Sequence, residues 1–474
     1  MKSIAISRLC LLLFVGSALG CALYGVIDDA QRSRIVHQLD YEEGNILNTA
    51  VRITHGLSPY PDPHGWPVVI NPYGPLPYYL TAIPVRFFGP NFAPARAFII
   101  VAAVICSLFI GLLIYHFSGS AAVSVGLAAL FLSHRITEAW MPVVRVDFIA
   151  LAVVLLALYL FVKYPLRPWI AAILLAIAIF TKFSFLAAPC ACFVYLLVQK
   201  QWKRAVQFAA AGLISIAVFF GSAVLFTHGG FAYDVFMTEG SPFSLAILAS
   251  NYSLVVGSNP FIVILGLLAL LWAIKTRQFE VPVLYLLFSL LVSFTASKVG
   301  SNMNHLLEFI AAFCIGTGWL LGQMLKRGGA TRLAASVLCL VLGIWALLLI
   351  PYTPSPRPIP GCSAIFDAVA HSNSDRILSE NIGLLVVNHK TVWVSNPFAY
   401  QLLTNSGKVP DQLVPRIREK WFDYIVLGDE PHEASTRWSP AVRQAILDNY
   451  VFVGRFPCRD AMLVYAPAGT PAKP

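Results

Sequence analysis

Long apolar runs recur along this chain, and they limit its fold more than any other feature. Stretches of about 17–25 apolar residues, the length an α-helix needs to cross a bilayer, return from residue 8 to residue 351. The runs are continuous and do not alternate, which argues for helices and against a transmembrane β-barrel. Charged residues make up only 12% of the 474 positions, roughly half the share expected of a soluble protein. Mean hydropathy is +0.72. The expected fold is therefore a polytopic α-helical membrane protein.

We read spans at about 8–27, 94–116, 119–133, 148–163, 167–181, 183–198, 205–226, 258–274, 281–297, 305–325 and 333–351, about eleven transmembrane helices in all. The first follows Lys2 and Arg8 and resembles a signal peptide, with "ALGC" hinting at a lipoprotein site. The run continues through "CALYGVI" and is long enough to remain an uncleaved span.

The net charge of +10 does not point to nucleic acid. It gathers in short connections: Lys2 and Arg8; Lys163 and Arg167; Lys200, Lys203 and Arg204; Lys275 and Arg277; Lys326, Arg327 and Arg332. Short basic connections mark the cytoplasmic side. The other set would be outside: 28–93, 134–147, a turn near Lys182, 227–257, 298–304 and everything from 352. The N-terminus is expected in the cytoplasm of a bacterial plasma (inner) membrane, and the C-terminal part outside it.

The first outside loop, 28–93, has two helical patterns. "EEGNILNTAVRITHG" places Ile46, Leu47, Ala50, Val51 and Thr54 on one face, as in an interfacial amphipathic helix ended by Gly56. "LPYYLTAIPVRFFG" is apolar but interrupted by Pro77 and Pro84, and reads as a second interfacial or re-entrant helix. Past the Pro-rich "YTPSPRPIPG", strand-like "LLVV", "TVWV", "YIVLG" and "AMLVYAP" alternate with helical "FAYQLLTNSG" and "VPRIREKW". This predicts a module over 1–351 and a small extracytoplasmic α/β domain over 352–474. Cys362 and Cys458 are the two cysteines of that domain and could pair outside the cell; the other seven lie in apolar runs.

Ionisable residues at a membrane edge are costly and so suggest function. Four groups fall on the outer side. "LDYEEG" holds Asp40, Glu42 and Glu43; on a helix Asp40 and Glu43 would share a face and Glu42 would point away. The same acids would also suit a solvated helix start. "HRITEAWMPVVRVDF" holds Arg135, Glu138, Arg145 and Asp147, either an anion-binding arginine pair or two surface ion pairs. "FTKFSF" holds Lys182, either a snorkelling lysine or a counter-charge to an anion. "SKVGSNMNHLLEF" crowds Lys298, Ser301, Asn302, Asn304, His305 and Glu308 into one turn and the start of a span. One histidine with scattered carboxylates is a weak metal signal. Acids on one loop and cations on three others suit a ligand with a phosphate, a reacting centre and a lipid tail.

These segments, in this order and with this sidedness, resemble the GT-C superfamily of membrane glycosyltransferases. The similarity is greatest to its protein O-mannosyltransferase-like and lipid A aminoarabinose transferase-like branches. It rests on the acids of the first loop, "GLSPYPD", "NPYGPLPYYL", "RVDF", "FTKFSF" and "KVGSNMNHLLE". The resemblance implies a polyprenyl-phosphate-linked sugar donor, a lipid, glycan or protein acceptor, and surrounding membrane lipids. It implies single displacement with inversion at the anomeric carbon. Asp40 would be the base or acceptor-orienting group and Glu43 the second acid, with Glu42 competing for that place. Arg135, Arg145, Lys182, Lys298, Asn302 and His305 would face the phosphate. Glu138, Asp147, Tyr73 and Glu308 are further candidates. No cofactor is implied with certainty, though a divalent metal is compatible. Where the family often has Pro-Pro, this chain has Gly74-Pro75.

The main alternative is a transporter or flippase of a lipid-linked anion, which would use the same cations but need no base. The acid-bearing loop and the absence of an internal repeat weigh against it. An O-antigen ligase or polymerase would carry its large outside loop late in the chain. A receptor or assembly subunit would leave Asp40 dispensable.

Overall fold

The computed structural model describes residues 2–62, 64–237, 242–298, 300–350, 359–431, 437–459 and 461–469. Helices dominate. Five are long and apolar enough to cross a membrane: Ile4–Arg32, Phe92–Ser118, Trp202–Phe226, Met303–Arg327 and Gly329–Leu349. The pair Leu245–Ser258 and Pro260–Thr276, bent by 101°, makes a sixth if it is one broken span. Other apolar runs form shorter helices, such as Ala121–Leu132, Pro168–Thr181 and Ala187–Val198. The chain is an integral, multi-pass membrane protein.

The segment Met303–Arg327 is the axis of the bundle, with 94% of its most apolar window buried by neighbouring helices. Trp202–Phe226 stands at the periphery, with 6% buried, and its Leu213, Val218, Leu225 and Phe226 are exposed as a lipid-facing helix requires. The first helix packs on Gly329–Leu349 and Ala121–Leu132.

The first loop folds as two helices, Tyr41–Thr54 and Leu76–Phe88, packed on each other. The second exposes Tyr79, Ile83 and Phe87, spaced four apart, and these form one apolar stripe suited to the lipid interface. The first differs from expectation. Its apolar face does not lie on lipid; residues Glu42 to Ala50 are buried against Leu76–Phe88 and Ile382–Val387. The fit at that contact is tight: a Cβ on Gly44 would stand 2.4 Å from the Gly383 nitrogen.

Beyond residue 359 lies a four-stranded sheet, order β1-β2-β4-β3, of β1 (Ile377–Ser379), β2 (Tyr424–Leu427), β3 (Tyr450–Phe456) and β4 (Met462–Pro467). β1 and β2 run parallel; β4 is antiparallel to both β2 and β3. Two strand-like stretches are not strands. "LLVV" lies in the helix Ile382–Val387, whose start is capped by the Asn381 side chain accepting from Leu384 N. In "TVWV", only Val394 pairs, in an isolated bridge with Val68 of the first loop. Strand propensity yielded to capping and context in both places. Cys362 and Cys458 form a disulfide. It ties the segment that follows the last long helix to the β3–β4 connection.

Candidate active site

A cavity of about 800 Å³ lies where the first loop, one end of the bundle and the C-terminal region meet. Its charged lining side chains are Asp40 and Glu42 against Arg145, Lys182, Lys298 and Arg437. That excess of cations suits an anionic ligand.

Asp40 is the N-cap of Tyr41–Thr54, so its side chain turns back over the helix start instead of lying on a helical face. Its Oδ2 accepts from Glu42 N at 3.0 Å and from Arg145 Nη1 at 3.0 Å. Among the described residues, nothing bonds to Oδ1.

Glu43 faces the other way and is fully buried with Arg96. It accepts from Arg96 Nε at 2.9 Å and Nη2 at 2.8 Å, and from the backbone N–H groups of Leu39 and Val144. Arg96 donates onward to the Ile35 and His37 carbonyls. This clamp grips the residue before Asp40 and the residue before Arg145. It positions both without reaching the cavity.

Glu42 does not face water. It is buried, lines the cavity, and accepts from Asn45 Nδ2 at 3.2 Å and Asn396 Nδ2 at 2.7 Å. Burial raises its carboxyl above the usual range and Asp40 pushes the same way, while Arg145 and the two amides pull it back.

Arg145 lies 5.7 Å from the ring centres of Tyr73 and Trp140 and 3.7 Å from Asp147 Oδ2. Asp147, the first residue of Asp147–Lys163, also takes Lys182 Nζ and, at 3.0 Å, Asn304 Nδ2. Lys182 ends the helix Pro168–Thr181 in an extended conformation. Asp147 thus aims both cations. Tyr73 enters the cavity from the proline-rich loop, its phenol pushed well up by burial. Gly74 beside it has no room for a side chain: a Cβ would stand 1.5 Å from the Phe180 carbonyl oxygen. That close approach is a physical reason for glycine at the departure from Pro-Pro.

The structure of ArnT from Cupriavidus metallidurans bound to undecaprenyl phosphate is similar over 98% of this chain and 99% of that one. Its TM-score is 0.64 at 14% identity. The same protein in the apo state gives 0.63 at 14%, over 96% and 97%. The archaeal oligosaccharyltransferase AglB from Archaeoglobus fulgidus gives 0.46 at 12%, over 95% and 74%. No protein-family model and no curated sequence matches. The chain has the fold of ArnT.

Within that fold the cavity collects Asp40, Glu42, Tyr73, Arg145, Lys182, Lys298, Asn302 and His305. Asp147 stands directly behind them. Glu308, one turn beyond His305, is buried inside the bundle and does not line the cavity. Arg135 and Glu138 lie elsewhere, in a small recess with Asp28, Asp29 and Arg32. There the Arg32 guanidinium bonds Asp29 and the Glu138 carbonyl, and burial pushes the Glu138 carboxyl up to about 8. The helix Arg135–Trp140 turns these side chains away from Arg145.

Tyr41, Asn396, Phe398 and Arg437 also line the cavity and carried no sequence signal. The last three come from the C-terminal region, 356 to 397 positions from Asp40. Among the described residues, no group of three or more His, Cys, Asp or Glu is placed to hold a metal. The cavity acids Asp40 and Glu42 each face arginine or amide donors, and no step below uses a metal ion.

Proposed function

We propose that this protein is a glycosyltransferase that moves a sugar from a polyprenyl-phosphate carrier to an acceptor hydroxyl at the extracytoplasmic face of the membrane. The observation that carries this reading is Asp40. Its Oδ1 has no partner among the described residues, while its Oδ2 is held by Arg145 in the same cavity as Lys182 and Lys298. One free carboxylate oxygen beside a cluster of cations is what displacement of a phosphate requires.

Asp40 Oδ1 takes the proton of the acceptor hydroxyl as its oxygen attacks the anomeric carbon. The bond from that carbon to the phosphate oxygen breaks, and the electron pair leaves with the phosphate. Arg145, Lys182 and Lys298 stabilise the charge that develops there. Attack from the side opposite the phosphate inverts the anomeric centre. The isoprenoid stays in lipid beside the bundle while the phosphate reaches the outer edge, where Lys182 and Lys298 lie. ArnT bound to undecaprenyl phosphate supports a carrier of this type. We assign the shorter helices as spans that complete about eleven crossings, and 352–474 as an extracytoplasmic domain covering the cavity.

The test is transfer by purified protein in nanodiscs, offered polyprenyl-phosphate sugars and membrane-extract acceptors, with product anomer read by NMR. Transfer with inversion is expected. A retained anomer contradicts single displacement. No transfer, together with uptake of the lipid-linked substrate into vesicles, contradicts the enzyme reading and favours a transporter.

A further inference from the structure

Resting on that reading, we propose that Glu42 is a second substrate-touching carboxylate that binds hydroxyl groups of the transferred sugar, and that Asn396 of the C-terminal region is its positioning residue. The direction of each hydrogen bond can be worked out from groups that have no choice. The Phe398 backbone N–H only donates, and it donates to the Tyr41 oxygen at 2.9 Å. The Tyr41 hydroxyl hydrogen is then free to go to Asn396 Oδ1, at 3.0 Å. The Ala399 N–H donates to that same Oδ1 at 3.0 Å. With Oδ1 fixed as an acceptor, Nδ2 faces Glu42 Oε1 and donates at 2.7 Å. Asn45 Nδ2 donates to the other oxygen, Oε2, at 3.2 Å.

Both Glu42 oxygens therefore receive amide donors, which favours the ionised form in a buried place. Each oxygen keeps further acceptor capacity. Glu42 lines the cavity two residues from Asp40. A carboxylate held open in this way is suited to paired sugar hydroxyls, which donate to it. The relay gives Asn396, buried and 354 positions from Glu42 in the chain, a role at the cavity. The charged and titratable groups around Glu42 are Arg145 and Asp40, Tyr73 from the proline-rich loop, and Tyr41 with Arg437 and Glu380 beyond it.

Three variants test the pair. Asn396→Ser keeps a helix-capping oxygen but drops the amide donor. Asn396→Asp keeps the cap and places a carboxylate against Glu42. Glu42→Gln removes the charge. Equal unfolding temperatures establish that the Asn396 variants fold. All three should lower kcat/KM at neutral pH by about tenfold to a hundredfold, the worth of a hydrogen bond to a charged group. The acid limb of the Asn396→Asp profile should move to higher pH. Wild-type kcat/KM and an unmoved acid limb in Glu42→Gln and Asn396→Asp, with Asp40→Asn inactive, overturn the inference and leave the glycosyltransferase reading intact. If wild type itself transfers nothing, that reading fails, and the sugar contact with it. The relay is then judged by infrared titration of the carboxyl band that Glu42→Gln abolishes. A higher titration pH in Asn396→Asp supports it, and an unchanged one overturns it.

Discussion

Replacing Glu43 by glutamine tests whether it is structural or chemical. Glu43 and Arg96 have no exposed side-chain surface, so the change leaves a guanidinium buried without its counter-charge. Removing one partner of a buried ion pair costs about 3–5 kcal/mol. The backbone N–H groups of Leu39 and Val144 also lose a charged acceptor, at about 1–3 kcal/mol for each left unsatisfied. Asp40 and Arg145 follow those two residues directly, so their 3.0 Å contact should loosen. Thermal unfolding in nanodiscs should show a large fall in midpoint, and kcat for transfer should fall with it. The pair Glu43→Leu with Arg96→Met removes both charges and should recover part of the stability, because an apolar pair avoids the stranded charge. Recovery of some transfer should follow. Glu43→Gln with a wild-type midpoint but no transfer would refute this reasoning and make Glu43 a catalytic group.

Lys182→Ala should raise KM for a lipid-phosphate donor and lower kcat by about 10²–10³, read in the same transfer assay, with little effect on acceptor KM. Gly74→Ala forces a methyl group into the Phe180 carbonyl and should give protein that fails to fold or unfolds well below wild type. Reducing the Cys362–Cys458 bridge opens a link across 96 positions and should cost about 2–5 kcal/mol. Because Arg459 beside it donates to the Leu39 carbonyl, transfer should fall as well. Glu42 has a raised carboxyl, and the ionised form is the one that accepts from sugar hydroxyls. Activity should therefore be lost as pH falls through that raised range, above the pH at which an ordinary glutamate protonates.

Much of the fold could be read from the chain because a bilayer demands long apolar helices, and composition alone reveals those. Asp40, Arg145, Lys182 and Lys298, which line the cavity, stand out in the sequence for a related reason: charge at a membrane edge is costly and seldom idle. What stayed hidden depends on geometry that spacing does not carry. Asp40 sits at an N-cap, one step before the helix begins, so the three-residue spacing to Glu43 did not put the two acids on one face. The partner that buries Glu43 is Arg96, in an apolar helix where one arginine drew no notice. Arg135 and Arg145 look alike in sequence, but a short helix turns one away from the cavity. Asn396 is invisible because its neighbour in space is 354 positions distant in the chain. "LLVV" has strand-like composition, yet Asn381 caps it into a helix.

In the proposed reaction Asp40 takes the proton of the acceptor while nearby cations hold the leaving phosphate. The direct test is single-turnover transfer from a polyprenyl-phosphate sugar by wild type and by Asp40→Asn. Asparagine keeps the cap and the contact with Arg145 but removes the base. Donor binding should stay within a few-fold of wild type while the transfer rate falls by about 10²–10⁴. Transfer at the wild-type rate by Asp40→Asn contradicts the proposed reaction.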